Sequence, residues 1–347
     1  MAMISRPDEQ RVKLKDLSLE EKVGQLLMLG IPGTVMSPEI EEIVRDYRPG
    51  GIILFERNYR DPQQLAGLSA ALQRLATIPL FIAVDQEGGR VVRFKNGFTL
   101  PPAAAELGRR GSPEYAYNIF SRVGEELKAA GINMNLAPVL DVNTNPYNPV
   151  IGDRALSSDP ELVIELGLTV IRALQDNGII AVGKHFPGHG DTSLDSHTHL
   201  PHVLHSRSRI EAVELSPFRR AVEAEVGAVM TAHVVYDMID PDYPATLSEK
   251  IVDQILRSSI GFNGVVLSDD LEMKAIMNNY DLETAAVRAI LSSVDLLLVC
   301  HQKERQAQVY QGLLKAAQDG SLTAPCLDRA VTRILNLKKQ FSLFVTV

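Results

Sequence analysis

The run Ile179-Ile-Ala-Val-Gly183 is apolar throughout, and it leads directly into Lys184-His-Phe-Pro-Gly-His-Gly-Asp-Thr-Ser-Leu-Asp-Ser-His-Thr-His-Leu-Pro201. A short run with no polar alternation describes a strand buried on both faces. The segment after it holds His185, His189, His197 and His199, half of the 8 histidines in the chain, with Lys184, Asp191 and Asp195 beside them. A loop that merely connects two elements has no need of so many proton-carrying groups. The carboxyl end of this strand is therefore the first candidate for a functional site.

The same unit recurs on either side. Apolar runs at 26–29, 51–55, 80–84, 133–137, 228–232, 264–267 and 295–299 alternate with helical patterns that have legible ends. Ser18-Leu-Glu-Glu21 reads as a capping box. Ser112-Pro113 and Ser158-Asp159-Pro160 open helices that Gly131 and Asn177-Gly178 close, Ser248 opens the helix before Gly264, and Gly320 follows a helix begun near Lys303. Buried strands alternating with helices imply a parallel sheet, and eight such units imply a closed (β/α)8 TIM-type barrel. An open doubly wound sheet is the competing architecture, but no glycine-rich phosphate fingerprint follows the first strand. With no linker, low-complexity tract or internal repeat, residues 1–347 read as one domain.

Composition narrows the partners. A net charge of −8 and the lack of any basic cluster argue against nucleic acid or an anionic membrane surface. Only Cys300 and Cys326 occur, so a disulfide framework is not expected. The first ten residues lack the apolar core of a signal peptide, and no apolar run approaches the ~20 residues that cross a bilayer. A cytoplasmic monomer acting on a small molecule is expected, with no cofactor and no metal.

In a barrel of this kind the chemistry gathers where the strands end. Those ends carry Asp85-Gln-Glu-Gly-Gly-Arg90-Val-Val-Arg93, then Asp141 with Ile151-Gly-Asp-Arg154, then Lys184-His185, then His233, and finally Ser268-Asp-Asp-Leu-Glu-Met273. Carboxylates beside Arg and Lys suit an uncharged, hydroxyl-rich ligand. Plainer roles are open to several of them. Asp270 can be a helix N-cap, Arg90 a strut, Asp141 and Asp153 partners of arginines, and Glu87 a turn residue, while His202 and His205 can face solvent.

At these residues the chain resembles glycoside hydrolase family 3, and within it the compact β-N-acetylglucosaminidases of peptidoglycan turnover. The matching segments are Gly50-Gly-Ile-Ile-Leu-Phe55, Ala83-Val-Asp-Gln-Glu-Gly-Gly-Arg-Val91, Ile151-Gly-Asp-Arg154, the stretch from Lys184 to His199, Pro244-Ala-Thr-Leu-Ser248 and Ser268-Asp-Asp-Leu-Glu-Met273. The resemblance implies an exo-acting retaining β-N-acetylglucosaminidase working through a covalent glycosyl-enzyme. It makes Asp269 the nucleophile and His197 the general acid/base, with Asp195 as its partner. It assigns Asp85, Arg93, Arg154, Lys184 and His185 to the N-acetylglucosamine ring. The residues alone do not choose His197 over His189 or His199. Larger family members draw the acid/base from a second domain; here the barrel's own loop is expected to supply it.

The physical logic agrees. A retaining glycosidase needs a carboxylate held rigidly near the anomeric carbon, and an acid that later serves as base. Histidine titrates near working pH without help, and Asp195 can favour its imidazolium form. The alternatives are a β-glucosidase or a glycoside phosphorylase on the same scaffold, a sugar-binding barrel without catalysis, and a metal-dependent amidohydrolase using His197 and His199. The chain has no Trp and 5% aromatic residues, which fits one terminal sugar better than a long stacked glycan.

Overall fold

The computed structural model describes residues 12–344. The reading of the first ten residues, and the outermost limits of the 1–347 domain, lie outside them. Each of the eight apolar runs forms a barrel strand: β1 Leu27–Gly30, β2 Gly51–Leu54, β3 Phe81–Val84, β4 Met134–Asn135, β5 Ile180–Phe186, β6 Ala228–Thr231, β7 Val265–Asp270 and β8 Leu296–Val299. All their pairings are parallel, and β8 returns to β1 to close the ring. This is a (β/α)8 barrel.

The strand bounds depart from the apolar runs at two places that matter. The run at 133–137 keeps two residues of regular strand, and its asparagines add side-chain bonds to the neighbouring segment at 80–86. The Asn133 Oδ1 accepts from Ile82 N at 2.8 Å while its amide donates to Leu80 O, and Asn135 exchanges the same pair of bonds with the Gln86 backbone. Conversely, β5 runs three residues past Gly183 and carries Lys184 and His185 as strand residues, 2% and 4% exposed. They belong to the rigid sheet and not to the loop.

Capping chemistry sets the helices. Ser18 Oγ accepts from Glu21 N and the Glu21 carboxylate accepts from Ser18 N, the reciprocal box. Ser112 and Asp159 cap Pro113–Ala129 and Pro160–Asp176, each with proline in the first turn, and Gly320 ends Lys303–Asp319 at φ 85°. The helix before Gly264 spans Lys250–Ser259, two residues later than Ser248, whose hydroxyl accepts from Ile251 N. No helix among the described residues is long and apolar enough to cross a membrane.

The barrel's amino-terminal face is locked by Asp295, just before β8. This fully buried carboxylate accepts from Val266 N at 2.8 Å, from Arg333 Nη1 at 3.0 Å and from Arg257 Nη2. One side chain thus joins β7, β8, the Lys250–Ser259 helix and the Ala324–Gln340 helix. Removing one partner of a buried pair leaves an uncompensated charge, at a cost of about 3–5 kcal/mol. Asp295→Ala should lose about that much in urea unfolding, while the folded fraction keeps wild-type turnover, because the site lies at the opposite face.

Candidate active site

Two residues apart on an extended chain, Asp85 and Glu87 share a side of the backbone after β3. Lys184, at the end of β5, reaches both: its Nζ lies 2.7 Å from Asp85 Oδ1 and 2.6 Å from Glu87 Oε1. Arg154 grips Glu87 as a two-pronged fork at 2.9 and 2.8 Å, and Arg93 Nη2 reaches Asp85 Oδ2 at 3.2 Å. Burial alone would push both carboxyl pKa values up. The Lys184 ammonium, with Arg93 at Asp85 and Arg154 at Glu87, outweighs it and holds both below the usual carboxylate range. Burial would likewise lower Lys184, and the two carboxylates raise it instead. Glu87 is therefore the hub of the site floor and not a turn residue. The i, i+2 spacing from Asp85 was the available signal.

A second carboxylate organises the histidines. Asp141, fully buried, accepts from the backbone N–H of His185 at 3.2 Å and of His189 at 2.6 Å, and pairs with His185 Nδ1 at 2.7 Å. It orients histidines, where the sequence had suggested arginines. Arg154 Nη2 sits 3.4 Å from His185 Nε2, linking this group to the first. His189 is 2% exposed, with Thr192 Oγ1 at 2.7 Å from Nδ1 and Ser196 Oγ at 3.0 Å from Nε2. Burial pushes its pKa down to about 4, so it is neutral at pH 7.

Asp269 sits at the end of β7. Burial opposes its ionisation, but the neighbouring His185 and His233 and the Asp270 N–H, 2.8 Å from Oδ1, keep its pKa below the usual value. His233 is fully buried between Thr246 Oγ1 and the Asp270 carbonyl, so it steadies the strand end. Asp270 is no helix N-cap: Met273 holds that position, and Asp270 closes a turn by accepting from Glu272 N at 3.1 Å. Arg90 is a strut, pairing with Asp153 at 2.8 Å and donating to Val150 O. His202 pairs with Asp237 at the surface, and His205 with Asp191 at 2.6 Å.

The long loop divides in two. Gly188 and Gly190 are buried; close packing calls for glycine at both, and the backbone conformation calls for it at Gly188 as well. A Cβ on Gly190 would stand 1.9 Å from Val142 O, and one on Gly188, at φ 138°, 2.9 Å from Glu214 Cβ. Beyond Thr192 the chain turns outward. There Asp195 Oδ1 accepts from His197 N at 2.8 Å and faces His197 Nδ1 at 2.7 Å. Burial pushes the Asp195 pKa up, and the His197 N–H and ring together outweigh it and hold the carboxyl below its usual value. His199 is exposed and bonds Thr198. Asp85, Arg93, Arg154, Lys184, His185, Asp195, His197 and Asp269 all line one cavity of about 570 Å³, and His199 does not. Among the described residues no three His, Cys, Asp or Glu side chains are grouped to hold a metal ion.

Asp141 generates a test by stability. Its pKa is lower in the fold than in the unfolded chain, so its contribution is complete above ~4 and drains away as pH falls through the folded value. Asp141→Asn should cost about 1.5–3 kcal/mol at pH 7. The gap to wild type should narrow below pH ~4, as read from Tm at pH 7 and 3.5.

Residues 18–337 match the family model described as the glycosyl hydrolase family 3 N terminal domain. A β-hexosaminidase of Alkalilimnicola ehrlichii is 42% identical over 293 residues, covering 83% of this chain and 84% of its own. A family 3 β-N-acetylglucosaminidase from Paenibacillus superposes with a TM-score of 0.93 at 45% identity, over 95% of this chain, which spans 64% of the Paenibacillus chain. NagZ from Neisseria gonorrhoeae, solved with N-trifluoroacetyl-D-glucosamine, gives a TM-score of 0.74 at 34% identity over 90% of this chain and 97% of its own. With nearly the whole barrel inside the match, the chain belongs to glycoside hydrolase family 3.

Proposed function

We propose that the chain, acting as one catalytic barrel, is an exo-acting retaining β-N-acetylglucosaminidase. It would release terminal N-acetylglucosamine from peptidoglycan-derived glycans through a covalent glycosyl-enzyme. The observation that carries this reading is the convergence on one cavity of the strand-end carboxylate Asp269 and the loop-borne Asp195–His197 pair. The names of the relatives at 42% and 45% identity support the sugar. Two cysteines, Cys300 and Cys326, both unpaired, support a reducing compartment such as the cytoplasm. A monomer acting on a small carbohydrate belongs to the same proposal.

In this reading the roles are those the family resemblance implies, and the geometry is compatible with them. Asp269, held ionised on a buried strand, attacks the anomeric carbon. His197 protonates the departing oxygen, and Asp195 stabilises the charged ring and fixes its tautomer through Nδ1, leaving Nε2 for the proton transfer. Once the aglycone has left, the same ring, now neutral, draws a proton from water. Asp85, Arg93, Arg154, Lys184 and His185 offer both acceptors and donors to a ring's hydroxyls. Glu87 spends its two oxygens on Arg154 and Lys184 and so supports those ligands. A cavity of this size is in the small-molecule range and suits one terminal sugar with its aglycone.

The substrate reading is tested by kcat/KM on 4-nitrophenyl N-acetyl-β-glucosaminide against 4-nitrophenyl β-glucoside. The first should be preferred, and the reverse order would overturn the assignment. A companion pair of variants separates the roles. Asp269→Ala should abolish turnover of every substrate. His197→Ala should lose ~10²–10⁴-fold on a disaccharide, yet still release nitrophenolate in a burst followed by slow turnover, because that leaving group needs no proton. Asp195→Ala should show a milder form of the same split. Equal losses on both substrates for His197→Ala would reduce His197 to a binding residue.

A further inference from the structure

The segment that carries the proton donor is scarcely attached to the barrel. Between Ser193 and Leu200 every residue is exposed or half-exposed except Ser196, which is 2% exposed. The hydrogen bonds of Asp195, His197, Thr198 and His199 remain within the segment: Asp195 O accepts from Thr198 N and His199 N, and the Asp195 carboxylate accepts from His197. Two bonds alone, among the described residues, tie residues 193–199 to the body, and both are made by Ser196. Its Oγ lies 3.0 Å from His189 Nε2, and its carbonyl accepts from Ala275 N at 3.3 Å.

His189 is a fixed post. Its N–H is held by Asp141 at 2.6 Å, its carbonyl by Asn148 at 2.8 Å, and its other ring nitrogen by Thr192 at 2.7 Å. The same Asp141 orients His185 on the floor of the cavity. Ser196 stands between Asp195 and His197 in the chain, so its placement fixes the direction in which the His197 ring leaves the turn.

We infer that Ser196 and His189 are positioning residues for proton transfer: their hydrogen bond latches the Asp195–His197 turn over Asp269, in register with the sugar-binding floor. The inference rests on the glycosidase reading above and assigns no proton transfer to His189. A neutral, buried imidazole makes a suitable post, since across the working pH range it neither gains a charge nor repels the His197 imidazolium.

A neutral hydrogen bond of this kind is worth a factor of about 2–10 in the population of the latched state. In Ser196→Ala, kcat/KM on a disaccharide should fall by about that factor, while the nitrophenolate burst, which needs no acid, stays at the wild-type rate. His189→Gln should show the same split, and adding it to Ser196→Ala should cost little more, because both remove one contact. Independently of activity, the Ala275 amide should exchange with deuterium about 2–10-fold faster in Ser196→Ala, with Tm unchanged. If His189→Gln fails to fold, the Ser196→Ala leaving-group split and the Ala275 exchange decide the matter. Equal losses on both substrates, or wild-type exchange at Ala275, would overturn the latch. A wild-type enzyme that turns over neither substrate would instead overturn the glycosidase reading, and Ala275 exchange would still report on the latch.

Discussion

The site is built around a buried ammonium group. Lys184, 2% exposed, stands between Asp85 and Glu87, and Arg154 and Arg93 complete the charge count around them. Burying any one of these ions alone would cost several kcal/mol, and only close geometry with further hydrogen bonds offsets that cost. The arrangement is therefore unforgiving. It requires the end of β5, the hairpin after β3 and the loop after β4 to meet within hydrogen-bond distance, and a closed barrel keeps them there. A floor of fixed ions and oriented donors does not have to reorganise when a polar ligand arrives.

The molecule divides its rigidity unevenly. Asp269 stands on β7, and His185 stands on β5 against a buried Asp141. Each therefore inherits the stiffness of the sheet. Asp195 and His197 stand on an outward turn attached through one residue. A nucleophile gains from fixed geometry because the bond it makes is short and directional. A proton donor must instead leave room for a sugar to enter and the aglycone to depart, and a loosely held turn allows both.

The barrel was legible because eight apolar runs and their capping residues repeat a single physical pattern, and all eight runs became strands. What eluded the sequence was contact across distance. Nothing local to Asp141 says that its partners are His185 and His189, 44 and 48 positions away. Glu87 looked like part of a Gly-Gly turn, and only the fold brings Arg154 and Lys184 to it. Nothing local to Gly188 and Gly190 says what packs against them. The structure shows that they admit Glu214 and the Val142 carbonyl at distances a Cβ would forbid. Asp295 opens the run at 295–299, and nothing local to it says that two arginines from remote helices converge on it. Choosing His197 over His189 and His199 required the resemblance. The structure adds the physical contrast: one ring is buried and neutral, one is exposed outside the cavity, and one is paired with a carboxylate at its rim.

The proposed function requires a covalent bond between Asp269 and the sugar. The most direct measurement is to trap that bond with a 5-fluoro N-acetylglucosaminyl fluoride and map the labelled peptide by mass spectrometry. One label per chain is expected, on Asp269 within Ser268-Asp269-Asp270. A label on Asp270 would contradict the assignment. So would no label together with β-configured product, which would transfer the nucleophile's role to the substrate's own acetamido group.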